Sequence, residues 1–224
     1  MQRAARIIVI GAIVIAFAIG VYAWPHLPEQ VPSHWNAAGE VDGYSSRAVG
    51  AFLFPVLMAG LGLLLWFLPK IDPLRKNIDT FRAEYDVFIA VFELFFLMMY
   101  VVTIAVALGY DVSMNVAISF GTGALFIAVG WMIGRAKRNF FIGIRTPWTL
   151  MNDEVWKKTH ALGSKLFIAA GVIAMLGVFF PDQAIRFVVV PSLAAAFATV
   201  IYSYVLYQRL VPPNGAIGPP PASG

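Results

Sequence analysis

The sequence contains no cysteine, which removes disulfides, thiolate metal ligands and cysteine nucleophiles together. Charge is also scarce. Asp, Glu, Lys and Arg make up 12% of the 224 residues, against about 25% in soluble domains. Such a chain has too little polar surface to cover a globule in water, and its mean hydropathy of +0.77 makes lipid the better solvent. Only three histidines occur, in two loops. No G-x-S-x-G, H-E-x-x-H or P-loop run is present, so neither catalysis nor a cofactor is expected. The net charge of +4 lies in short segments between apolar runs. That is the pattern of membrane orientation signals, not of a nucleic-acid-binding surface.

What is present is apolar length. A membrane-crossing helix needs about 20 mostly apolar residues. Such runs occur at about 7–24, 49–68, 87–108, 116–134, 166–180 and 187–207. The first follows Arg3 and Arg6 but lacks a small-residue cleavage site, so it reads as a retained helix and not a signal peptide. The fifth is the shortest, and its start can lie inside the polar segment before it. The expected fold is all-α: a polytopic bundle of six transmembrane helices over 1–210, multi-pass in the cell membrane. A disordered Pro- and Gly-rich tail, 211–224, follows. With the N-terminus inside, fourteen of the sixteen Lys and Arg fall on the cytoplasmic side and only Arg47 and Arg186 outside, which predicts that both termini are cytoplasmic. The outer loop is then 25–48, and the inner loops are 69–86 and 135–165.

The outer loop has Pro25, Pro28 and Pro32 on an extended path, a turn at Asn36 and Gly39, and another at Asp42-Gly43. His34, Asn36, Glu40 and Asp42 stand close together, which suits either a compact polar loop or a weak divalent-cation site; the spacing matches no standard zinc motif. In the second inner loop, Asn139 to Leu150 is apolar but broken by Gly143 and Pro147, as in a surface-lying or re-entrant stretch. Asn152 then reads as the N-cap of a helix with Asp153 and Glu154 in its first turn. Asp153–Lys157 and Glu154–Lys158 are spaced for ion pairs. Glu93 lies within the third run, where a carboxyl is costly and faces the bundle interior.

Two stretches are recognisable. LPEQVPSHWNAAGEVDGYSSR, Leu27 to Arg47, resembles the N-terminal signature of the bacterial SdpI family. NFFIGIRTPWTLMNDEVWKKTH, Asn139 to His160, resembles that family's second signature. The resemblance implies a membrane immunity protein that resists a secreted peptide toxin and also signals by holding a transcriptional repressor at the membrane. It places ligand contact outside, at His34, Asn36, Gly39, Asp42 and Tyr44. A partner or signalling surface would lie inside, at Gly143, Arg145, Thr146, Trp148, Trp156, Thr159 and His160. Two alternatives remain open at this point. One is a small transporter using Glu93 with Thr103, Ser119 and Thr122. The other is a membrane enzyme with a metal held by a converging His34 and Asp42.

Overall fold

The computed structural model describes residues 1–211, and within them six helices are long and apolar enough to cross a membrane. In chain order the elements are α1 (Arg3–Ala23), β1 (Gln30–Trp35), β2 (Val41–Ser46), α2 (Arg47–Ile71), α3 (Arg75–Asp79), α4 (Arg82–Ala107), α5 (Met114–Ile133), α6 (Pro147–Met151), α7 (Asp153–Leu176) and α8 (Ala184–Leu210). The all-α polytopic bundle expected from hydropathy is therefore the observed architecture. Apart from Val211, the expected tail 211–224 lies outside the described residues.

Two differences from expectation have physical causes. The loop after α1 folds into an antiparallel β-hairpin, with Gln30 opposite Ser46, Val31 opposite Ser45 and Pro32 opposite Tyr44. Its register shifts on either side of His34, where the strand bulges. The fifth membrane helix starts at Asp153, not Leu166, because the capped polar segment continues without a break into the apolar run. Asn152 Oδ1 accepts from the amides of Glu154 and Val155 at 2.9 and 3.0 Å, which satisfies donors that a helix start leaves free. Trp156, Thr159, His160 and Gly163 face inward on this helix, while Lys157 and Lys158 stay exposed.

The six long helices form two triplets. α1, α2 and α4 pack on one another, as do α5, α7 and α8, and the α4–α5 contact joins the two groups. The α5–α7 crossing is close because small residues meet there. A Cβ on Gly123 would stand 2.7 Å from Gly171 O, and one on Gly130 would stand 2.8 Å from Ser164 O. Close backbone approach through small residues is the usual way helices associate in lipid, where burial of apolar area gives no advantage.

The first triplet is held by an exchange of backbone bonds. Pro55 and Pro69 lie inside α2. Proline has no amide proton, so each leaves the carbonyl four residues earlier without its helical donor. Those carbonyls belong to Ala51 and Leu65. Tyr100 Oη donates to Ala51 O at 2.6 Å, and Tyr85 Oη donates to Leu65 O at 2.7 Å. Two tyrosines of α4 thus replace the two bonds that the prolines remove from α2. Gly20 of α1 completes the upper junction, since a Cβ there would stand 2.6 Å from Ala51 O and 3.0 Å from Tyr100 Oη.

This exchange predicts a coupling. Tyr100→Phe should lower stability in micelles by about 1 kcal/mol, the ordinary worth of a buried hydrogen bond. In a Pro55→Ala background the Ala51 carbonyl regains a helical donor, and the same substitution should cost distinctly less. Equal costs in both backgrounds, measured by reversible denaturation, would refute the exchange.

Candidate functional site

The bundle has a hairpin end and a termini end, and the residues singled out in the sequence divide between them. At the hairpin end, Val31 is fully buried against α2 where Gly50 leaves room for it. Arg47 ties the hairpin base: its amide donates to Glu29 O at 3.0 Å and its Nε to Pro28 O at 3.3 Å. Asn36 shapes the turn. Its Oδ1 accepts from Ala38 N and Glu40 N at 2.9 and 3.0 Å, and its Nδ2 donates to Glu40 Oε2 at 2.9 Å. Gly39 sits at φ +85°, a conformation that disfavours other residues, and rests on Asn115 of α5. Asn115 Nδ2 donates to Pro181 O at 3.0 Å and reaches Ala37 O at 3.5 Å, so it pins the hairpin tip to the second triplet.

Asn36 and Gly39 therefore build the hairpin, whereas His34, Asp42 and Tyr44 are displayed by it. His34 Nδ1 and Asp42 Oδ1 are 2.5 Å apart, with side-chain exposures of 72% and 44%. Tyr44 is exposed beside them. The convergence of His34 and Asp42 required by a metal site is present, but it supplies two ligands. Among the described residues no group of three or more His, Cys, Asp or Glu is placed to hold a metal ion.

At the termini end, the loop from Arg135 to Asn152 is a folded structure organised by buried polar groups. Asn139 is fully buried; its Nδ2 donates to Lys137 O and Ile142 O, and its Oδ1 accepts from Phe141 N and Ile142 N. Asp72, 2% exposed, accepts from Phe140 N at 2.8 Å and Leu74 N at 2.7 Å, which locks this loop to the one after α2. Thr146 caps α6 in a reciprocal box with Thr149 and reaches Ser203 of α8 at 3.1 Å. Trp148 packs edge-on against Tyr204.

His160 shows how the second signature works. Its ring stacks on Trp156 at 3.9 Å between centroids. Nδ1 donates to Trp156 O at 2.8 Å, so Nε2 carries the lone pair that accepts from Ile144 N at 3.0 Å. Gly143, at φ +111°, passes so close that a Cβ would stand 2.5 Å from Nε2. Trp156 Nε1 donates to Ala136 O at 2.7 Å, and Thr159 is buried. Of the seven residues assigned to a partner surface, Thr146, Trp156, Thr159 and His160 are thus interior, while Arg145 is exposed and Trp148 half-buried. Arg145 Nη1 donates to Phe140 O at 2.8 Å. Three acids of the inner loops pair elsewhere: Glu84 with Arg135, Asp153 with Arg138 and Glu154 with Lys158. The expected Asp153–Lys157 pair gives way to Arg138, which the folded loop brings alongside.

Midway along α4, Glu93 is fully buried, and neither carboxylate oxygen has a hydrogen-bond partner among the described residues. It faces Gly62 of α2, where a Cβ would stand 2.7 Å from Oε1. Neither Thr103 nor Ser119, two of the companions expected for it, bonds to its carboxylate. Thr103 Oγ1 donates to Met99 O within α4, and Ser119 packs against Gly177.

Comparison with known proteins sorts these features. A model of the SdpI/YfhL protein family matches residues 135–203, and a model of a domain of unknown function, DUF1648, matches residues 11–59. The chain is 28% identical over 206 residues to the immunity protein SdpI of Bacillus subtilis (strain 168), covering 92% of this chain and 97% of that one. The chain resembles the SdpI family. It is also 35% identical over 48 residues, 21% of this chain and 53% of the other, to the uncharacterized membrane protein YbgB of the same bacterium. No solved structure matches. The SdpI-family match takes in the folded loop, α6, α7 and most of α8; the DUF1648 match takes in the later part of α1, the hairpin and the first half of α2. This is a multi-pass cell-membrane protein.

Asn115, Asp72 and Asn139 do essential positioning that the sequence reading missed, although Asn139 lay within a quoted motif. The usable signal was an amide or acid directly beside an apolar run, where a buried polar side chain must find backbone partners. The loop geometry makes a specific prediction. Gly143→Ala forces a left-handed conformation onto alanine and pushes a methyl at His160, so it should lower stability by about 1–3 kcal/mol. Arg145→Ala should leave thermal unfolding in detergent unchanged. A Gly143→Ala protein as stable as wild type would contradict this reading.

Proposed function

We propose that this chain is a membrane immunity protein: it sits in the cell membrane with both termini in the cytoplasm and confers resistance to a secreted peptide toxin that it meets at the hairpin. Similarity to the SdpI immunity protein along 92% of the chain carries this reading. The distribution of basic residues supports the orientation, because the hairpin end holds only Arg47 and Arg186. The hairpin suits recognition. Its turn is locked by Asn36 and pinned by Asn115, so His34, Asp42 and Tyr44 need little ordering on contact. A binding role fits a displayed His–Asp pair that no third metal-ligating group joins among the described residues.

Signalling to a cytoplasmic repressor is supported by the resemblance of the second signature, and its contact surface would centre on Arg145 and Trp148. The remaining signature residues would act from inside, by holding that loop in shape.

Two measurements test the proposal. The chain lacks cysteine, so single cysteines report cleanly. Glu40→Cys should label from outside intact cells and Lys157→Cys only after permeabilisation; labelling from one side would contradict the orientation. In a toxin-sensitive host, His34→Ala, Asp42→Ala and Tyr44→Ala should leave abundance unchanged, since an exposed pair contributes about 1 kcal/mol or less. Protection per inserted molecule should nonetheless fall about tenfold, the equivalent of 1.4 kcal/mol of recognition. Wild-type protection per molecule in all three would exclude the hairpin as the recognition surface.

A further inference from the structure

The hairpin roofs a cavity of about 450 Å³, a size within the usual range of small-molecule sites, about 300–1,000 Å³. Its back wall is α4, through Phe95, Phe96, Met99 and Thr103, and its sides are the first turns of α2 and α5. These two helices flank α4 without forming a packed pair, so the cavity occupies the gap between them. The stretch of α4 that lines it, Phe95 to Thr103, rises about 12 Å at 1.5 Å per residue. One leaflet's apolar depth is about 15 Å. At the side of the gap Val49 and Leu53 are exposed to the surrounding medium. In a membrane protein that medium is lipid, so the cavity wall is continuous with the lipid-facing surface.

The lining is aromatic and methionine-rich, which suits a flexible apolar chain better than a rigid polar ligand. One polar feature stands out against it. Ser45, on the underside of β2, has a buried Oγ with no hydrogen-bond partner among the described residues, and it lines the cavity at the hairpin. A buried hydroxyl without a partner is costly, and this one sits where the polar end of a chain inserted from the leaflet would lie. The hydroxyl deeper in the wall, that of Thr103, is already bonded to its own helix.

We propose that this cavity holds one acyl chain of a phospholipid from the hairpin-side leaflet, with its ester carbonyl accepting a hydrogen bond from Ser45 Oγ. The lipid then completes the contact between hairpin, α2 and α5 and supports the roof from below. This inference rests on the cavity and the membrane setting, and it is independent of the immunity reading.

The test uses the full chain, extracted from bacterial membranes into mild detergent and washed extensively. Native mass spectrometry should find one phospholipid retained per chain, confirmed by analysis of the extracted lipid. Leu53→Phe and Val49→Phe enlarge exposed side chains at the gap and should fold normally, yet reduce occupancy about tenfold by blocking entry. Ser45→Ala, which removes one atom, should weaken retention several-fold. Leu193→Phe, at an exposed site on α8, should retain lipid as wild type does. As a second measurement, protein first loaded with a bromine-labelled phospholipid and then moved to detergent should keep the fluorescence of Trp35, which lines the cavity, quenched, and Trp35→Phe should lose that quenched component. Equal lipid retention in the wild type and the three cavity variants would overturn the proposal. So would unquenched Trp35, or release of a peptide in place of a phospholipid.

Discussion

A peptide carbonyl in hydrocarbon has no water to turn to, and α2 carries two prolines inside its membrane-spanning length. Pro55 and Pro69 strip donors from Ala51 and Leu65 in α2, and Tyr100 and Tyr85 of α4 supply replacements. Because the donors come from another helix, the exchange fixes the rotation and height of α4 against α2 at two levels. Much else follows from that. α4 brings its next face to α5 and so joins the triplets, Gly20 lets α1 close on the same junction, and the stretch from Phe95 to Thr103 becomes the back wall of the cavity. Glu93 lies between the two tyrosine joints against Gly62, so its burial is a consequence of the same alignment.

The hairpin obeys the same rule by other means. Its strands satisfy each other, its turn is closed by Asn36, and its tip is held by Asn115. The outcome is a preformed lid across the end of the bundle that displays His34, Asp42 and Tyr44. At the opposite end the long loop solves its own backbone through Asn139, Asp72 and His160, all buried. The two signature stretches therefore have different characters. One presents side chains to the medium, while the other mostly turns its side chains inward to shape a surface of few residues.

The six spans were legible because a run of apolar residues long enough to cross a bilayer has few other uses. The hairpin was not, because Pro32 interrupts its first strand and its pattern is partly polar on both faces. The start of α7 was concealed for a related reason: its first turns bury one face only, so hydropathy rises late although the N-cap at Asn152 was readable. Within the site, sequence grouped His34 with Asp42 and Asn36 with Gly39 by proximity, and both groupings are real contacts or shared turns. What sequence could not separate was display from support. Trp156 and His160 look like ideal contact residues, and only the fold reveals that they stack on each other inside.

The hairpin should be a rigid roof in the membrane-embedded protein. Amide hydrogen exchange of the full chain in lipid nanodiscs tests it directly. The cross-strand amides of Gln30–Trp35 and Val41–Ser46, together with the turn amides of Ala38 and Glu40, should exchange far more slowly than an open loop, and Asn115→Ala should speed exchange at the tip. Rapid exchange throughout 30–46 in the wild type would mean that the loop is unstructured, and recognition by a preformed hairpin would be wrong.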